Sequence, residues 1–283
     1  MSSSEITKVC ALIGDPVEHS LSPCIHNAAF KHLQLNYYYA AFQVSLEELE
    51  TTILGVRSLK IHGLNVTMPL KVAAIQHLDQ LDESVKMVGA VNTILNDKGV
   101  LIGYNTDGEG ALKALKVNNE SPKDKKIVIL GAGGVSRAIL YSLLKEAREI
   151  VILNRTLEKA KNLVRDLSSK FGDKVRYGKL STLTMELKEA DILINATSLG
   201  MSPNEDKTPV NRDMLRPELS IFDLVYDPPE TRLLREARAV GAKTIEGLTM
   251  LIYQGAASFE IWTGKKAPLN VMMKAAREKL GRL

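Results

Sequence analysis

Cysteine is scarce in this sequence, with only Cys10 and Cys24 in 283 residues. They form no C-x-x-C pair and no disulfide framework, which fits a reducing compartment. Charge of one sign is lacking too. The 37 Lys and Arg nearly balance the 33 Asp and Glu, leaving +4, too mild and too scattered to imply nucleic acid. Aromatic residues make up 5 %, with Trp262 the single tryptophan, and no basic stretch interleaves with them as a nucleic-acid surface would require. No apolar run approaches membrane-spanning length. The opening MSSSEITKV has no basic region followed by an apolar core, so no signal peptide is expected, and a soluble, cytoplasmic protein is. The five histidines, His19, His26, His32, His62 and His77, show no metal-ligand spacing, so no metal site is expected. There is no G-x-S-x-G and no recognisable nucleophile–base pair.

What is present centres on residues 126–156, KIVILGAGGVSRAILYSLLKEAREIVILNRT. An apolar run at 127–130 reads as a buried parallel strand. Gly131, Gly133 and Gly134 then allow a tight turn and close approach to a phosphate. A helix from about Val135 presents its N-terminal N–H groups and dipole to an anion. A second apolar strand at 150–153 completes a βαβ unit of the dinucleotide-binding kind. Ser136 stands where the third glycine of G-x-G-x-x-G belongs. At the end of the second strand, an NAD-binding unit usually places Asp or Glu for the ribose 2′-hydroxyl. This chain has Asn154, Arg155 and Thr156. A carboxylate would repel a 2′-phosphate, whereas Arg155 can pair with one, so NADP(H) is the expected cofactor.

The length suggests two domains. Strands are expected at 8–14, 36–44, 61–66, 91–95 and 100–104, with helices at about 23–33, 46–59, 71–77, 83–87 and 108–117. Ser22 is read as the cap of the first helix, with Pro23 in its first position. Ser45 and Glu48 are read as a capping box for the second. The polar stretch 118–125 leads into the glycine strand. Beyond it a helix at 157–169 and strands at 174–177, 191–195, 221–225 and 243–245 bring that sheet to six strands, doubly wound. The loop 202–213 is long enough for a mobile flap. Two last helices, 249–263 and 269–280, have no strand to feed. They are expected to pack back on the first domain, giving a substrate domain of residues 1–107 plus 250–283 and a cofactor domain of 108–249.

Ligands bind at strand ends in open α/β sheets, and polar residues cluster there in the first domain. Lys71 and Asp107 stand out. A ketone reduced by hydride develops an alkoxide and needs a proton donor or a fixed positive charge. A lysine supplies both, and a neighbouring carboxylate orients it. Ser20, Ser22, Asn65, Thr67, Asn92 and Gln254 suit a small hydroxylated, carboxylated ligand.

These residues fall in motifs that resemble those of a known family. SLSP at 20–23, NVTMPLK at 65–71, GAVNT at 89–93 and GYNTDGEG at 103–110 look like the substrate-domain motifs of shikimate dehydrogenases. GAGGVSRA at 131–138, NRT at 154–156 and YQGA at 253–256 look like the rest of that family. The resemblance implies an N-terminal α/β domain, a Rossmann domain and C-terminal helices returning to the first. It implies reversible reduction of 3-dehydroshikimate to shikimate with NADPH, in aromatic amino-acid biosynthesis. By the same resemblance Ser20 and Ser22 bind the substrate carboxylate. Thr67, Asn92, Asp107 and Gln254 hold ring hydroxyls, Tyr226 lies nearby, and Lys71 transfers the proton. The cofactor falls to Gly131, Ala132, Gly133, Gly134 and Val135, and to Asn154, Arg155, Thr156, Leu157, Glu158 and Lys159. Leu224 and Gly247 flank the nicotinamide, and Glu83 matches a weak cofactor contact of some members. Leu224 stands where the family often has Met, a volume-conserving change. A quinate/shikimate dehydrogenase using NAD or NADP is the nearest rival, and a non-catalytic NADP-binding regulator is the rival of another class. The expected partner is a small molecule, with a homodimer as one candidate assembly.

Overall fold

The computed structural model describes residues 6–171 and 174–281, without side chains over 167–171. The chain forms two compact units. Unit 1 comprises Met1–Asp107 and Ile252–Leu283, and unit 2 comprises Gly108–Leu251. The outermost residues of the expected first domain, 1–5 and 282–283, lie outside the described residues.

Unit 1 begins with β1 (Lys8–Gly14), α1 (Ser22–His32), β2 (Tyr37–Gln43), α2 (Leu49–Ser58) and β3 (Gly63–Val66). It continues with β4 (Gln80–Leu81), α3 (Glu83–Val88), β5 (Thr93–Asp97) and β6 (Val100–Tyr104). Its six strands lie in the order β2-β1-β3-β5-β6-β4. β1 pairs parallel with β2 and β3, whereas β5 runs antiparallel to β3 and β6. The β5–β6 hairpin turns through Lys98 and Gly99, both at positive φ, as the favoured two-residue hairpin turn requires. Ala11, Ile13, Leu64, Val66 and Ile94 point from the sheet into a core shared with Ile53 and Val56 of α2.

Unit 2 carries most of α4 (Asp107–Val117), then β7 (Lys126–Leu130), α5 (Gly134–Leu143), β8 (Glu149–Asn154), α6 (Leu157–Phe171) and β9 (Val175–Lys179). After these come α7 (Leu183–Glu189), β10 (Ile192–Asn195), β11 (Ser220–Asp223), α8 (Arg232–Ala239) and β12 (Thr244–Glu246). All six strands are parallel, ordered β12-β11-β10-β7-β8-β9. In chain order this is 3-2-1-4-5-6, the doubly wound dinucleotide-binding topology. Alternate strand residues reach opposite faces, and here both faces are apolar. Ile127, Ile129, Ile150 and Ile152 enter one core, and Val128, Leu130, Val151 and Leu153 the other. A sheet covered on both sides needs such unbroken apolar strands.

The chain closes with α9 (Gly247–Thr263) and α10 (Leu269–Leu280). The later part of α9 and all of α10 belong to unit 1. Trp262 donates its indole N–H to the Ile94 carbonyl at 3.0 Å, and its own carbonyl faces His62 Nε2 at 2.8 Å.

Several boundaries differ from expectation. α1 starts at Ser22 and its cap position is Leu21, without a side-chain cap. Ser20 instead accepts from the Ser22 N–H. Ser45 and Glu48 do exchange reciprocal hydrogen bonds, but they close a turn ahead of α2 rather than its first α-helical turn. Residues 71–77 yield only a 3-10 turn over Ala73–His77, since so short a segment gains too few hydrogen bonds to offset α-helix nucleation. β5 begins two residues late, and the Val91 N–H goes to the Lys71 carbonyl rather than to a neighbouring strand. Within the loop at 202–213, Val210 is buried in the unit 2 core and Arg232 donates to the Asp206 carbonyl at 2.9 Å. β4, α7 and α8 were not anticipated.

Candidate active site

Lys71 follows β3 by five residues, and Asp107 opens α4 just after β6. The backbone between β3 and Lys71 is pinned at both ends. Thr67 N donates to the Ile13 carbonyl at 2.9 Å, and the Lys71 carbonyl accepts from Val91 N at 2.8 Å. These bonds bring Lys71 Nζ to 2.5 Å from Asp107 Oδ2. Both side chains are largely buried, at 11 % and 5 % exposure. The second carboxylate oxygen, Asp107 Oδ1, accepts from Asn92 Nδ2 at 2.8 Å. Asn92 is itself held in one sense, because its Oδ1 accepts from the Thr106 N–H at 2.8 Å. Gln254 Oε1, from α9, lies 3.4 Å from Asn92 Nδ2.

Four predicted residues, Lys71, Asp107, Asn92 and Gln254, thus form one cluster. Thr67 sits half-buried at the C-terminal end of β3, its methyl packed beside Gly14. Ser20 and Ser22 occupy the turn into α1, with Ser22 buried. Tyr226 is half-buried just after β11, in unit 2. A layer behind the cluster was not predicted as a set. Tyr39 donates to Asn65 Oδ1 at 2.7 Å, and Asn65 Nδ2 donates to the Asn92 carbonyl and to Thr93 Oγ1. Burial holds the Tyr39 hydroxyl's pKa well above its ordinary value, so this group donates at any physiological pH. Thr106 and Ser258 complete the layer. Thr106 belongs to the GYNTDGEG motif, and Ser258 lies one helical turn beyond Gln254.

In unit 2 the glycine turn joins β7 to α5. Gly131 has φ of +105°, and a Cβ there would sit 2.7 Å from the Ala196 carbonyl oxygen. Gly133 caps α5 and has no heavy atom within 4 Å of where its Cβ would be. That open backbone face at a helix N-terminus suits a diphosphate. Ala132, Gly134 and Val135 are half-buried around it. At the end of β8, Asn154 Nδ2 bonds the Thr156 carbonyl at 2.8 Å, shaping the turn. Arg155, Thr156, Glu158 and Lys159 are exposed there and Leu157 is half-buried. The exposed cations Arg155 and Lys159 give this turn the charge to receive a further phosphate. Gly247 opens α9, and a Cβ on it would collide with the Leu224 carbonyl, so glycine alone permits these two predicted residues to adjoin. The strand end beneath them is knotted by Asp223. This buried carboxylate accepts from Asn195 Nδ2 at 2.9 Å, Thr231 Oγ1 at 2.6 Å and Val225 N at 3.2 Å. Burial raises its pKa, partly opposed by those three donors. Glu83 stands exposed as the first residue of α3 in unit 1, whereas every other predicted cofactor residue lies in unit 2. No group of three or more potential metal ligands occurs among the described residues.

Comparison with known proteins gives three family matches in chain order. Residues 12–94 match the shikimate dehydrogenase substrate-binding domain, 113–224 the shikimate/quinate 5-dehydrogenase domain, and 247–277 the shikimate 5′-dehydrogenase C-terminal domain. A shikimate dehydrogenase (NADP+) of Methanopyrus kandleri is 50 % identical over 279 residues, covering 97 % of this chain and 96 % of its own. A crystal structure of a shikimate dehydrogenase in complex with NADP+ is 48 % identical with a TM-score of 0.92, covering 97 % of this chain and 96 % of that one. The enzyme of Thermus thermophilus, solved with NADP(H) and shikimate, is 38 % identical with a TM-score of 0.86, covering 96 % of this chain and 99 % of that one.

Proposed function

The chain belongs to the shikimate dehydrogenase family, and from that premise we infer that it catalyses the reversible NADP(H)-dependent reduction of 3-dehydroshikimate to shikimate. This reaction serves aromatic amino-acid biosynthesis. The observation that carries the reading is the buried Lys71–Asp107 pair steadied by Asn92, in a chain half-identical to NADP+-dependent relatives.

When bound, NADP(H) supplies or takes up the hydride. On reduction, the electron pair of the carbonyl collects on its oxygen, and Lys71 delivers a proton to that oxygen from Nζ. Asp107 keeps the Lys71 amine aimed and stabilises its charge; its second oxygen, held by Asn92, cannot swing away. Ser20 and Ser22 take the substrate carboxylate. Thr67, Asn92, Asp107 and Gln254 take the ring hydroxyls, with Tyr226 a further hydroxyl partner. Residues 1–107 with 250–283 form the substrate domain and 108–249 the cofactor domain.

Gly131, Ala132, Gly133, Gly134 and Val135 receive the diphosphate on the N-terminal N–H groups of α5. The turn of Asn154, Arg155, Thr156, Leu157, Glu158 and Lys159 receives the adenosine end, with Arg155 pairing the 2′-phosphate. Leu224 and Gly247 contact the nicotinamide, and Glu83 makes a weaker cofactor contact. The two free cysteines fit a cytoplasmic protein. Among the described residues the outer edge of β2 has no strand partner, and Tyr38 and Phe42 on it are half or more exposed. That edge supports a homodimer, which light scattering in solution checks.

The test is a matrix of shikimate and quinate, each with NADP+ and NAD+, followed by absorbance of the reduced nicotinamide. Turnover confined to shikimate with NADP+ is expected. Equal turnover with NAD+ removes the Arg155 argument, equal turnover with quinate moves the chain to the quinate branch, and none with any pair favours a binding protein.

A further inference from the structure

We propose that Ser258 is a positioning residue for this reaction: its buried hydroxyl fixes α9 against the segments bearing Asn65, Thr93 and Thr106, and so sets the place of Gln254. The proposal rests on the reading of Gln254 as a substrate contact.

Ser258 has no exposed surface. Its Oγ lies 2.7 Å from Thr93 Oγ1, 3.1 Å from Asn65 Nδ2 and 3.3 Å from Thr106 Oγ1. One hydroxyl therefore meets β3, β5 and the residue before α4. The Ser258 hydroxyl accepts from Asn65 Nδ2, meets Thr93 Oγ1 in a contact where either hydroxyl can donate, and has the Gln254 carbonyl at 3.1 Å as a further acceptor. Thr93 Oγ1 lies 3.0 Å from Asn92 Oδ1, and the Asn92 amide donates to Asp107, so Ser258 joins α9 to the hydrogen-bonded network around Asn92.

The sense of the Asn92 amide is already fixed by the Thr106 N–H at 2.8 Å, so Ser258 is not needed for that. Its contribution is to the helix. Gln254 stands four residues earlier on the same face of α9. Gln254 Oε1 touches Asn92 Nδ2 and Thr106 Oγ1 only at 3.4 and 3.5 Å, at the weak limit of a hydrogen bond. Those two contacts are too long to set where the Gln254 amide sits, whereas the 2.7 Å Ser258–Thr93 bond, one turn along α9, fixes that turn, as the Trp262–Ile94 bond fixes the helix one turn farther on.

The experiment compares Ser258→Ala, Gln254→Ala and the double variant with the parent enzyme. It measures kcat and KM for shikimate at saturating NADP+, KM for NADP+, and thermal unfolding. Ser258→Ala is expected to raise KM for shikimate about fivefold to tenfold, the worth of a neutral hydrogen bond, with KM for NADP+ unchanged. The double variant should match Gln254→Ala within about twofold, because the two residues act through one contact. A Ser258→Ala enzyme with an unchanged shikimate KM, or losses that multiply in the double variant, overturns the positioning role alone. An unchanged shikimate KM in Gln254→Ala removes the substrate reading of Gln254 and this proposal with it. Ser258→Cys, close in volume but a poor hydrogen-bonding group, gives the same test if the alanine protein unfolds too readily.

Discussion

A lysine and an aspartate in open water attract each other weakly; Lys71 and Asp107 meet where little water reaches them, and low local dielectric strengthens the pair. Replacing Lys71 by Ala takes away the proposed proton donor. Turnover should fall by about 10²–10⁴-fold, the usual worth of general acid–base catalysis, while NADP+ affinity, read by fluorescence titration, stays within about twofold. Activity within a few-fold of the parent would move the proton transfer to another group. Lys71, Asp107 and Asn92 were legible because polar residues cluster at strand ends there, and all three, with Gln254 of α9, fall in motifs that resemble those of a known family. Tyr39, Thr93 and Ser258 were not. A buried hydroxyl beside apolar neighbours reads as filler until its partners, up to 193 positions away in sequence, are known.

At the scale of elements, the glycine turn separates two roles that one motif conceals. Gly131 needs its positive φ, and a side chain would strike the Ala196 carbonyl. Gly131→Ala should therefore cost about 1–3 kcal/mol of stability, seen as a lower melting temperature. Gly133 has φ of −92° and space around it. Gly133→Ala should melt like the parent yet bind NADP+ at least about tenfold more weakly, since its methyl would occupy the face offered to the diphosphate. Normal NADP+ binding by that variant would place the diphosphate elsewhere. The strands of this unit were readable because β7 and β8 are continuous apolar runs. β4 spans two residues, too few to show any period. α7 and α8 expose half or more of their residues and bury only three each, so their apolar stripes are too narrow to register. Thr231, whose side chain accepts from Leu234 N, was the available signal for α8.

For the molecule as a whole, acid stability hinges on a group outside the chemistry. His26 is fully buried against Tyr39, Phe259 and Trp262, and among the described residues neither ring nitrogen has a hydrogen-bond partner. Burial lowers its pKa from 6.5 to about 3. The unfolded chain therefore binds a proton that the folded one refuses. His26 does not oppose folding above pH 6.5, but stability drops as pH falls from there towards 3, by up to about 1.4 kcal/mol per unit. His26→Phe should flatten that part of a urea-unfolding profile measured against pH. An unchanged slope would assign the acid limb to carboxylates instead. His26 lies early in the chain, but Phe259 and Trp262 arrive late, because unit 1 is drawn from both sides of unit 2. A ribosome adding about 5–20 residues per second spends roughly 7–30 s making unit 2 before those partners emerge. During that interval the sheet of β1, β2 and β3 waits with its aromatic face uncovered, a natural client for a chaperone. Unit 2, continuous in sequence, can close meanwhile. An arrest near residue 251 would leave a finished unit 2 tethered to an unfinished unit 1.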